Sequence, residues 1–445
     1  MPTYHLGIDD TDSLKKGCTT YVGALLMERL LPQATFIDFP NLIRLNPNIP
    51  WKSRGNAAIC LRISTPMDCD YILKMAEEVV EENRDRQDEK NQPGIALVQG
   101  EVPDRLKRFG RRALYDVIST EDAICLAREL GIKYKTIKGG RGLVGALAAI
   151  GNTLEGDHTY ELIVYRKKET WERPRQVDRE SVVEMDKETY PYTFNNLDYE
   201  TGRVLITPHG PDPILFGVRG ESPGVLKQAL KLLKFSGGER WVIYRSNQGT
   251  EAHFVNKSSV AELRPCQAAV IEGELTGAPK VIRGGHVIAE LGDATGRIDI
   301  AAYEKSGGVQ KVLRDLLPGD RVRAYGGVNP HEGEAPKLTL NLEKLEVLEL
   351  VLAIARNPVC EKCKVRMKAK GRNKGYKCEK CGKEAKEPVM EKLERKVKEG
   401  VFLPPPRSVR HLTKPLQRYG MEKTWVGVSV DSFFGLINAK DIHLP

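Results

Sequence analysis

Tyr4-His5-Leu6-Gly7-Ile8-Asp9-Asp10-Thr11-Asp12-Ser13, followed by Gly17-Cys18-Thr19-Thr20, opens with an apolar run, an acidic turn and two hydroxyl residues. Tyr4 to Ile8 reads as a short strand. Val22, Leu25, Leu26 and Leu30 recur at helical spacing, so a helix follows the threonines. Strand, acidic turn, glycine with hydroxyls, then helix is an active-site layout of α/β proteins. Asp9, Asp10 and Asp12 crowd like charges together, and a divalent cation relieves the repulsion; Mg2+ is the common oxygen-liganded ion of phosphoryl chemistry. Thr19 and Thr20 stand at the helix start, where backbone N–H groups favour phosphate. The same residues also fit an Asp-rich turn that merely caps a helix.

Outward from this stretch, 57–63 and 94–98 read as further strands. Helical patterns cover 71–83 and 121–130, the second capped by Ser119-x-x-Asp122. Residues 1–135 form one α/β domain on this reading. Lys52-Ser53-Arg54-Gly55-Asn56 follows Asn46-Pro47-Asn48-Ile49-Pro50-Trp51 and offers two cations, a glycine and an amide, as a phosphate-binding loop would. No GxxxxGK[ST] is present, which excludes an ordinary P-loop. Val98-Gln99-Gly100-Glu101 ends another strand, either a second edge of the site or a plain turn.

Between 136 and 260 the pattern is a helix from about Gly142, strands at 160–165, 203–207 and 214–218, a helix at 225–233 and a strand at 241–244. This predicts a small ferredoxin-like α+β sandwich. From 261 to 350, strands at 268–275, 286–291, 297–303, 321–327 and 337–345, with a helix at 309–316 between the third and fourth, predict an OB-fold. OB-folds bind single strands; a small barrel used only for packing has the same pattern.

Cys360-x-x-Cys363 and Cys378-x-x-Cys381 stand 14 residues apart. Two such turns close a four-thiolate structural Zn2+ site, a zinc ribbon spanning 351–390. A rubredoxin-like iron site shares the spacing, but a redox iron protein has little use for the intervening Lys364, Arg366, Lys368, Lys370, Arg372, Lys374 and Lys377. The five other cysteines are scattered, unlike a secreted disulfide framework. Residues 351–420 carry 20 Lys and Arg against 7 Asp and Glu, so +13 of charge sits here and the rest of the chain sums to −4 of the overall +9. Localised positive charge suits a phosphate backbone, or a face kept basic for solubility. Residues 391–445 read as a helix and then a basic arm with Arg407, Arg410, His411, Lys414 and Arg418. No secretory signal or membrane-length apolar run is read, so a cytoplasmic protein without a membrane partner is expected.

Taken together, Gly7 to Ser13 with Gly17-Cys18-Thr19-Thr20 resembles the start of the archaeal isoleucine-tRNA 2-agmatinylcytidine synthetases. Asn46 to Asn56, Gly140-Arg141-Gly142-Leu143-Val144-Gly145-Ala146-Leu147-Ala148-Ala149-Ile150-Gly151, Thr207-Pro208-His209-Gly210-Pro211-Asp212-Pro213 and Asn247-Gln248-Gly249-Thr250-Glu251-Ala252-His253 belong to the same pattern. The resemblance covers nearly the whole chain; one departure is Ser53, where many relatives are expected to carry Thr.

The resemblance implies a multidomain α+β protein: an α/β kinase-like catalytic domain, a ferredoxin-like domain, an OB-fold β-barrel, a zinc ribbon and a C-terminal basic tail. It implies ATP-dependent joining of agmatine to C2 of the wobble cytidine in isoleucine tRNA with a CAU anticodon. The C2 oxygen is phosphorylated, and the agmatine amine then displaces phosphate. Asp9, Asp10 and Asp12 are expected to hold Mg2+ and the triphosphate. Thr19 matches the threonine after which the kinase domain is named and is a candidate for autophosphorylation. Lys52 and Arg54 are expected to stabilise phosphoryl charge, with Thr20, Ser53, Gly55 and Asn56 completing the nucleotide site. Agmatine's guanidinium calls for carboxylates or carbonyls, expected between the first two domains near Thr207 to Asp212. Asp212 fits as a ligand there and equally as a turn aspartate between prolines. Lys364, Arg366, Lys368 and Arg372 are candidates for RNA contact. The rival reading is a non-catalytic tRNA- or single-strand-binding protein, which has no need of the acidic, threonine-bearing start. A lysine–nucleotidyl ligase is disfavoured by the lack of a Lys-x-Asp-Gly signature.

Overall fold

The computed structural model describes residues 1–13, 17–52, 55–255, 257–331, 337–371, 373–427, 430 and 432–437. Ser53, Arg54 and Arg372, named above as site candidates, lie outside the described residues. The first third of the chain gives β1 (Thr3–Asp9), α1 (Thr19–Leu30), β2 (Thr35–Phe36), β3 (Asn41–Arg44), β4 (Ala57–Ser64), α2 (Cys69–Asn83), β5 (Gly94–Gln99), α3 (Asp104–Arg112), α4 (Thr120–Glu129), β6 (Lys133–Thr136) and α5 (Gly142–Gly151). Period-two alternation splits β4 and β5 between two cores. Ile59, Leu61, Ile63, Ile95 and Leu97 face the core that includes α1 and α2, while Ala58, Cys60, Ala96 and Val98 face the one that includes α3, α4 and α5. Ser119 caps α4 by accepting from Asp122 N, as its sequence position predicts.

The strands lie in the order β6-β5-β1-β4-β3, with antiparallel neighbours throughout. This sets the place of every strand-end turn. Asp9 pairs with Gly94, and Tyr4 with Gln99. The Gln99-Gly100-Glu101 turn therefore sits at the far end of the sheet from the acidic turn, and its reading as an edge of the same site is corrected.

The next segment contributes β7 (Thr159–Arg166), α6 (Arg179–Thr189), β8 (Thr193–Phe194), β9 (Ile214–Gly220), α7 (Pro223–Leu232) and β10 (Gly238–Ser246). Its antiparallel order, β10-β7-β9-β8, is the 4-1-3-2 order of a ferredoxin-like sandwich. The helix expected to begin this unit near Gly142 packs instead on β1 and β5 of the first sheet. Here α6 and α7 form the helical layer. The sequence hides α6 because its buried hydrophobic residues are only Val182 and Met185. Strand β10 runs parallel to β3, Arg245 opposite Asn41 and Ser246 opposite Leu42, so both units share one continuous sheet.

In the next unit, β11 (Ala268–Leu275), β12 (Val287–Gly292), β13 (Arg297–Ala302), α8 (Gly308–Asp315), β14 (Arg321–His331) and β15 (Lys337–Glu349) close as 1-2-3-5-4-1, with β13 and β15 parallel. That closure is an OB barrel, with the helix where the sequence places it. The loop before Trp51 docks this barrel onto the first sheet. Asn46 Nδ2 donates to Cys266 O at 2.8 Å, and Tyr115 O accepts from Ala268 N at 2.8 Å. A Cβ on Gly327 would lie 2.0 Å from Asn48 Oδ1. Asn46 and Asn48 thus hold domains together.

The helix expected after residue 391 is not formed among the described residues. The segment has short strands at Val389–Lys392 and Gly400–Phe402, two single 3-10 turns, and β16 (Phe434–Leu436) paired with β10. The arm does not project its charge either. Arg407 pairs with Asp198 at 2.6 Å, Arg410 with Glu343 at 3.1 Å and Lys414 with Glu422 at 2.7 Å, while Arg418 is fully buried against Glu221 and Asp157. Part of the basic excess read for RNA is therefore compensated by acidic groups elsewhere in the chain, a pairing that only the fold produces. Among the described residues no helix is long and apolar enough to cross a membrane.

Candidate active site

Strand β1 ends at Asp9, and Asp10 turns the chain with φ of +58°. Asp12 then caps α1: its Oδ1 accepts from Thr19 N, and from Thr19 Oγ1 at 2.8 Å. Thr11 Oγ1 donates to the same threonine hydroxyl at 3.1 Å. From behind, Asn91 Nδ2 donates to the carbonyls of Asp10 and Asp12 at 3.0 and 3.1 Å. Arg141 Nη2 donates to Asp10 Oδ2 at 2.9 Å and to Lys90 O at 2.7 Å.

The glycines of α5 make room for this turn. A Cβ on Gly145 would lie 1.7 Å from Asp9 Oδ2, and one on Gly142 would lie 2.6 Å from Asp9 O. The small-residue run 140–151 thus lets a helix press directly on the strand carrying the carboxylates. Gly145→Ala is expected to displace Asp9, costing about 1–3 kcal/mol as an overpacked site. Thermal unfolding beside a divalent-cation titration checks this; an unchanged midpoint and affinity would show that Asp9 moves freely.

One cleft gathers Asp9, Asp10, Asp12, Thr19, Trp51, Lys52, Asn56, Asp116 and Arg141. Burial, reinforced by Asp10 and Asp12, pushes the Asp9 carboxyl well above the ordinary range. Burial also raises Asp10, against the opposing pull of Arg141, to about 6. Buried carboxylate oxygens whose charge is this costly are a hard-oxygen donor set suited to Mg2+. Protons compete with such a cation. Because its folded-state pKa is raised, Asp10 takes up a proton between about pH 4 and 6 that the unfolded chain does not. This contribution stabilises the cation-free fold as pH falls and opposes it near neutrality. Mg2+ affinity is expected to decline as pH is lowered through about 6, approaching tenfold per unit below it for one competing proton. Calorimetric titration from pH 5 to 7.5 measures the slope.

A second chamber adjoins the cleft across Asp12, Thr19 and Ala57. It lies between the two halves of the continuous sheet and is lined by Thr20, Arg44, Gly55, Glu161, Asp212, Arg219 and His411, among others. Asp212 reaches this wall, but its Oδ1 accepts from Arg175 Nη2 at 2.9 Å and from Ile214 N at 2.9 Å, so an internal guanidinium already engages it.

Among the described candidates, the fold brings Asp9, Asp10, Asp12, Thr19, Lys52 and Asn56 to the first space, and Thr20, Gly55 and Asp212 to the second. Sequence reasoning missed Asn91, Arg141, Arg44, Glu161, Arg219 and His411. Arg141 lies inside the quoted 140–151 run, and His411 is read from the sequence only as part of the basic arm. The others sit on separate elements and meet only through the tertiary fold.

In the ribbon, Lys364 N donates to Cys360 O and Gly382 N to Cys378 O, both at 2.8 Å, giving two equivalent knuckles. The four Sγ atoms lie within 4.8 Å of one another, with Cys360 and Cys381 at 3.6 Å. Tetrahedral zinc thiolates stand roughly 3.8 Å apart, from Zn–S bonds of about 2.3 Å, so the set fits Zn2+. Lys364, Arg366 and Lys368 are exposed on this unit; Lys368 pairs with Glu379 at 2.8 Å and Arg366 with Glu391 at 3.4 Å.

Family models match along the chain: the TiaS TCKD domain over residues 5–139, the TiaS FLD domain over 140–253, an OB-fold nucleic acid binding domain over 269–348 and the TiaS C-terminal zinc ribbon domain over 357–397. The isoleucine-tRNA 2-agmatinylcytidine synthetase TiaS of Methanosarcina acetivorans is 42% identical over 423 residues, covering 93% of this chain and 97% of the relative. The crystal structure of TiaS in complex with isoleucine tRNA and ATP matches with a TM-score of 0.81 and 37% identity, covering 96% of this chain and 99% of that one. That of TiaS with isoleucine tRNA, AMPCPP and agmatine matches with a TM-score of 0.79 and 35% identity over the same shares. By sequence along nearly its full length and by fold, the chain belongs to the TiaS family of isoleucine-tRNA 2-agmatinylcytidine synthetases.

Proposed function

We propose that this chain uses ATP to join agmatine to C2 of the wobble cytidine of isoleucine tRNA bearing a CAU anticodon, in the cytoplasm. The observation that carries the reading is the shared wall. An acidic cleft suited to a triphosphate and a chamber able to take an amine meet at Asp12 and Thr19. The cytosine C2 oxygen attacks a phosphorus of ATP, a P–O bond to the nucleotide breaks, and the C2 oxygen becomes part of a phosphate leaving group. The agmatine nitrogen then bonds to C2, the C2–O bond breaks, phosphate departs and the nitrogen sheds a proton. A carbonyl oxygen leaves poorly and a phosphate well, so the protein supplies positioning and charge neutralisation.

Mg2+, when bound, neutralises charge on the triphosphate. Asp9, Asp10 and Asp12 would hold it, and Arg141 holds Asp10 in place meanwhile. Lys52 Nζ donates to Pro47 O at 2.6 Å, which keeps its charge at the cleft. Asp12, already hydrogen-bonded to the Thr19 hydroxyl, is placed to take that proton if Thr19 accepts a phosphoryl group. Residues 1–135, with α5 packed on their sheet, supply the catalytic unit, the remainder of 136–260 the ferredoxin-like wall of the amine chamber, and 261–350 and 351–390 the RNA-binding units. Residues 391–445 form the arm. The target base must leave its stack to reach the cleft.

The test is mass spectrometry of anticodon nucleosides from an isoleucine tRNA transcript incubated with protein, ATP, Mg2+ and agmatine. A mass gain at the wobble cytidine that needs both small molecules is expected. Tight RNA binding with no gain would favour the binding-protein reading. Cys378→Ser is expected to release zinc, seen by metal analysis, and to weaken tRNA binding about tenfold through loss of the folded basic ribbon. Unchanged affinity would make the ribbon a bystander.

A further inference from the structure

Among the described residues, the C-terminal arm enters the second chamber with one side chain, His411, which lines it beside Arg44, Glu161 and Arg219. Glu161 Oε1 accepts from Arg219 Nε at 3.3 Å, and its Oε2 accepts from Gln248 Nε2 and lies 3.5 Å from Arg44 Nη2. Arg219 Nη2 donates to His411 Nδ1 at 2.8 Å. A guanidinium only donates, so the imidazole is the acceptor. The other edge of the ring closes on Gly55, where a Cβ would lie 2.9 Å from His411 Nε2.

The two ends of Arg219 are thus tied to Glu161 and to His411. Arg219 carries the same head group as agmatine, a planar guanidinium. Without His411, only the 3.3 Å contact of its Nε with Glu161 would restrain it, and its Nη groups could swing further across the chamber it already lines, onto carboxylate and carbonyl acceptors meant for the substrate. We infer that His411 is a positioning residue that latches Arg219 away from the amine substrate, making the C-terminal arm part of the agmatine site. This rests on the placement of agmatine in this chamber given under Proposed function. Burial, together with Arg44 and Arg219, holds the His411 pKa well below its ordinary value, which keeps the acceptor lone pair available.

The arm has anchors of its own on both sides of His411. Gly249 N donates to His411 O and Glu251 N to Leu412 O, both at 2.8 Å, and Arg410 and Arg418 make the ion pairs described above. Removing the imidazole therefore leaves the arm in place.

His411→Leu in the full-length protein is expected to raise the KM for agmatine roughly tenfold, the scale of one charge-assisted hydrogen bond, with the KM for ATP and tRNA within about twofold. His411→Asn, which restores an acceptor, is expected to recover most of the loss. In an Arg219→Met background, where the guanidinium that His411 holds is absent, His411→Leu is expected to have little further effect. An unchanged agmatine KM in His411→Leu, a parallel rise in all three KM values that Asn does not rescue, or full additivity with Arg219→Met would each overturn the latch while leaving the parent reaction intact. Absence of any agmatine-dependent product from the unmodified protein would overturn the functional reading and the latch together.

Discussion

Asp10→Ala lowers ATP turnover by about 10³-fold or more, while affinity for tRNA stays within about twofold of the parent, on the reading developed above. The expected size follows from charge. Removing a preorganised group that stabilises transition-state charge costs about 10²–10³ in rate, and Asp10 also fixes Arg141, whose Nη2 it accepts at 2.9 Å. Its loss removes one anionic donor and frees a guanidinium in the cleft. RNA contact is assigned to the OB barrel and ribbon, far along the chain, which is why binding should persist. Steady-state ATP hydrolysis with and without tRNA, beside filter binding at fixed salt, measures both arms. Surviving turnover would remove Asp10 from the cation site, and a matching loss of tRNA affinity would point to general unfolding.

Arg418→Met destabilises the protein by about 3–5 kcal/mol, the range for breaking one partner out of a buried charge network. Arg418 is fully buried, and its guanidinium reaches Asp157 at 3.0 and 3.2 Å, Glu221, and the carbonyl of Gly249. Methionine fills much of the volume but leaves two carboxylates short of a partner. Lys423, 2.6 Å from Glu221, and Lys414, 3.7 Å from Asp157, compensate only in part. Chemical denaturation with a fitted midpoint and slope provides the measurement. A loss below about 1 kcal/mol would mean that the lysines or water take over, and that the arm is held by backbone pairing instead. Because the same arm carries His411, partial undocking should also raise the agmatine KM before global unfolding is seen.

Local pattern is strong where chemistry and periodicity coincide. The acidic turn, the threonine pair and the two CxxC knuckles are sequence-local, since each motif is spelled by residues a few positions apart. The OB strands are legible because five alternating runs and one helix occur in the barrel's own order. Helix α6 is not, because its buried hydrophobic residues number two, and the segment after residue 391 read as a helix is irregular between two short strands instead. The strand-end turn at Gln99 falls at the opposite end of the sheet from its expected place because strand direction is not written in a strand's own residues.

The sequence by itself determined the cation-suited turn, the zinc thiolates, the order of units and the family pattern, all of which rest on spacing along the backbone. Only the tertiary structure decided which distant groups share a site. It set Arg141 on Asp10, Glu161 and Arg219 from neighbouring strands of the sheet into one chamber, and His411 from the far end of the chain against them. It also docked the basic arm that the sequence reads as extended. The physical reason is common to these cases: a buried charge takes whichever partner the packing brings within about 3–4 Å, and that partner can lie anywhere in the chain.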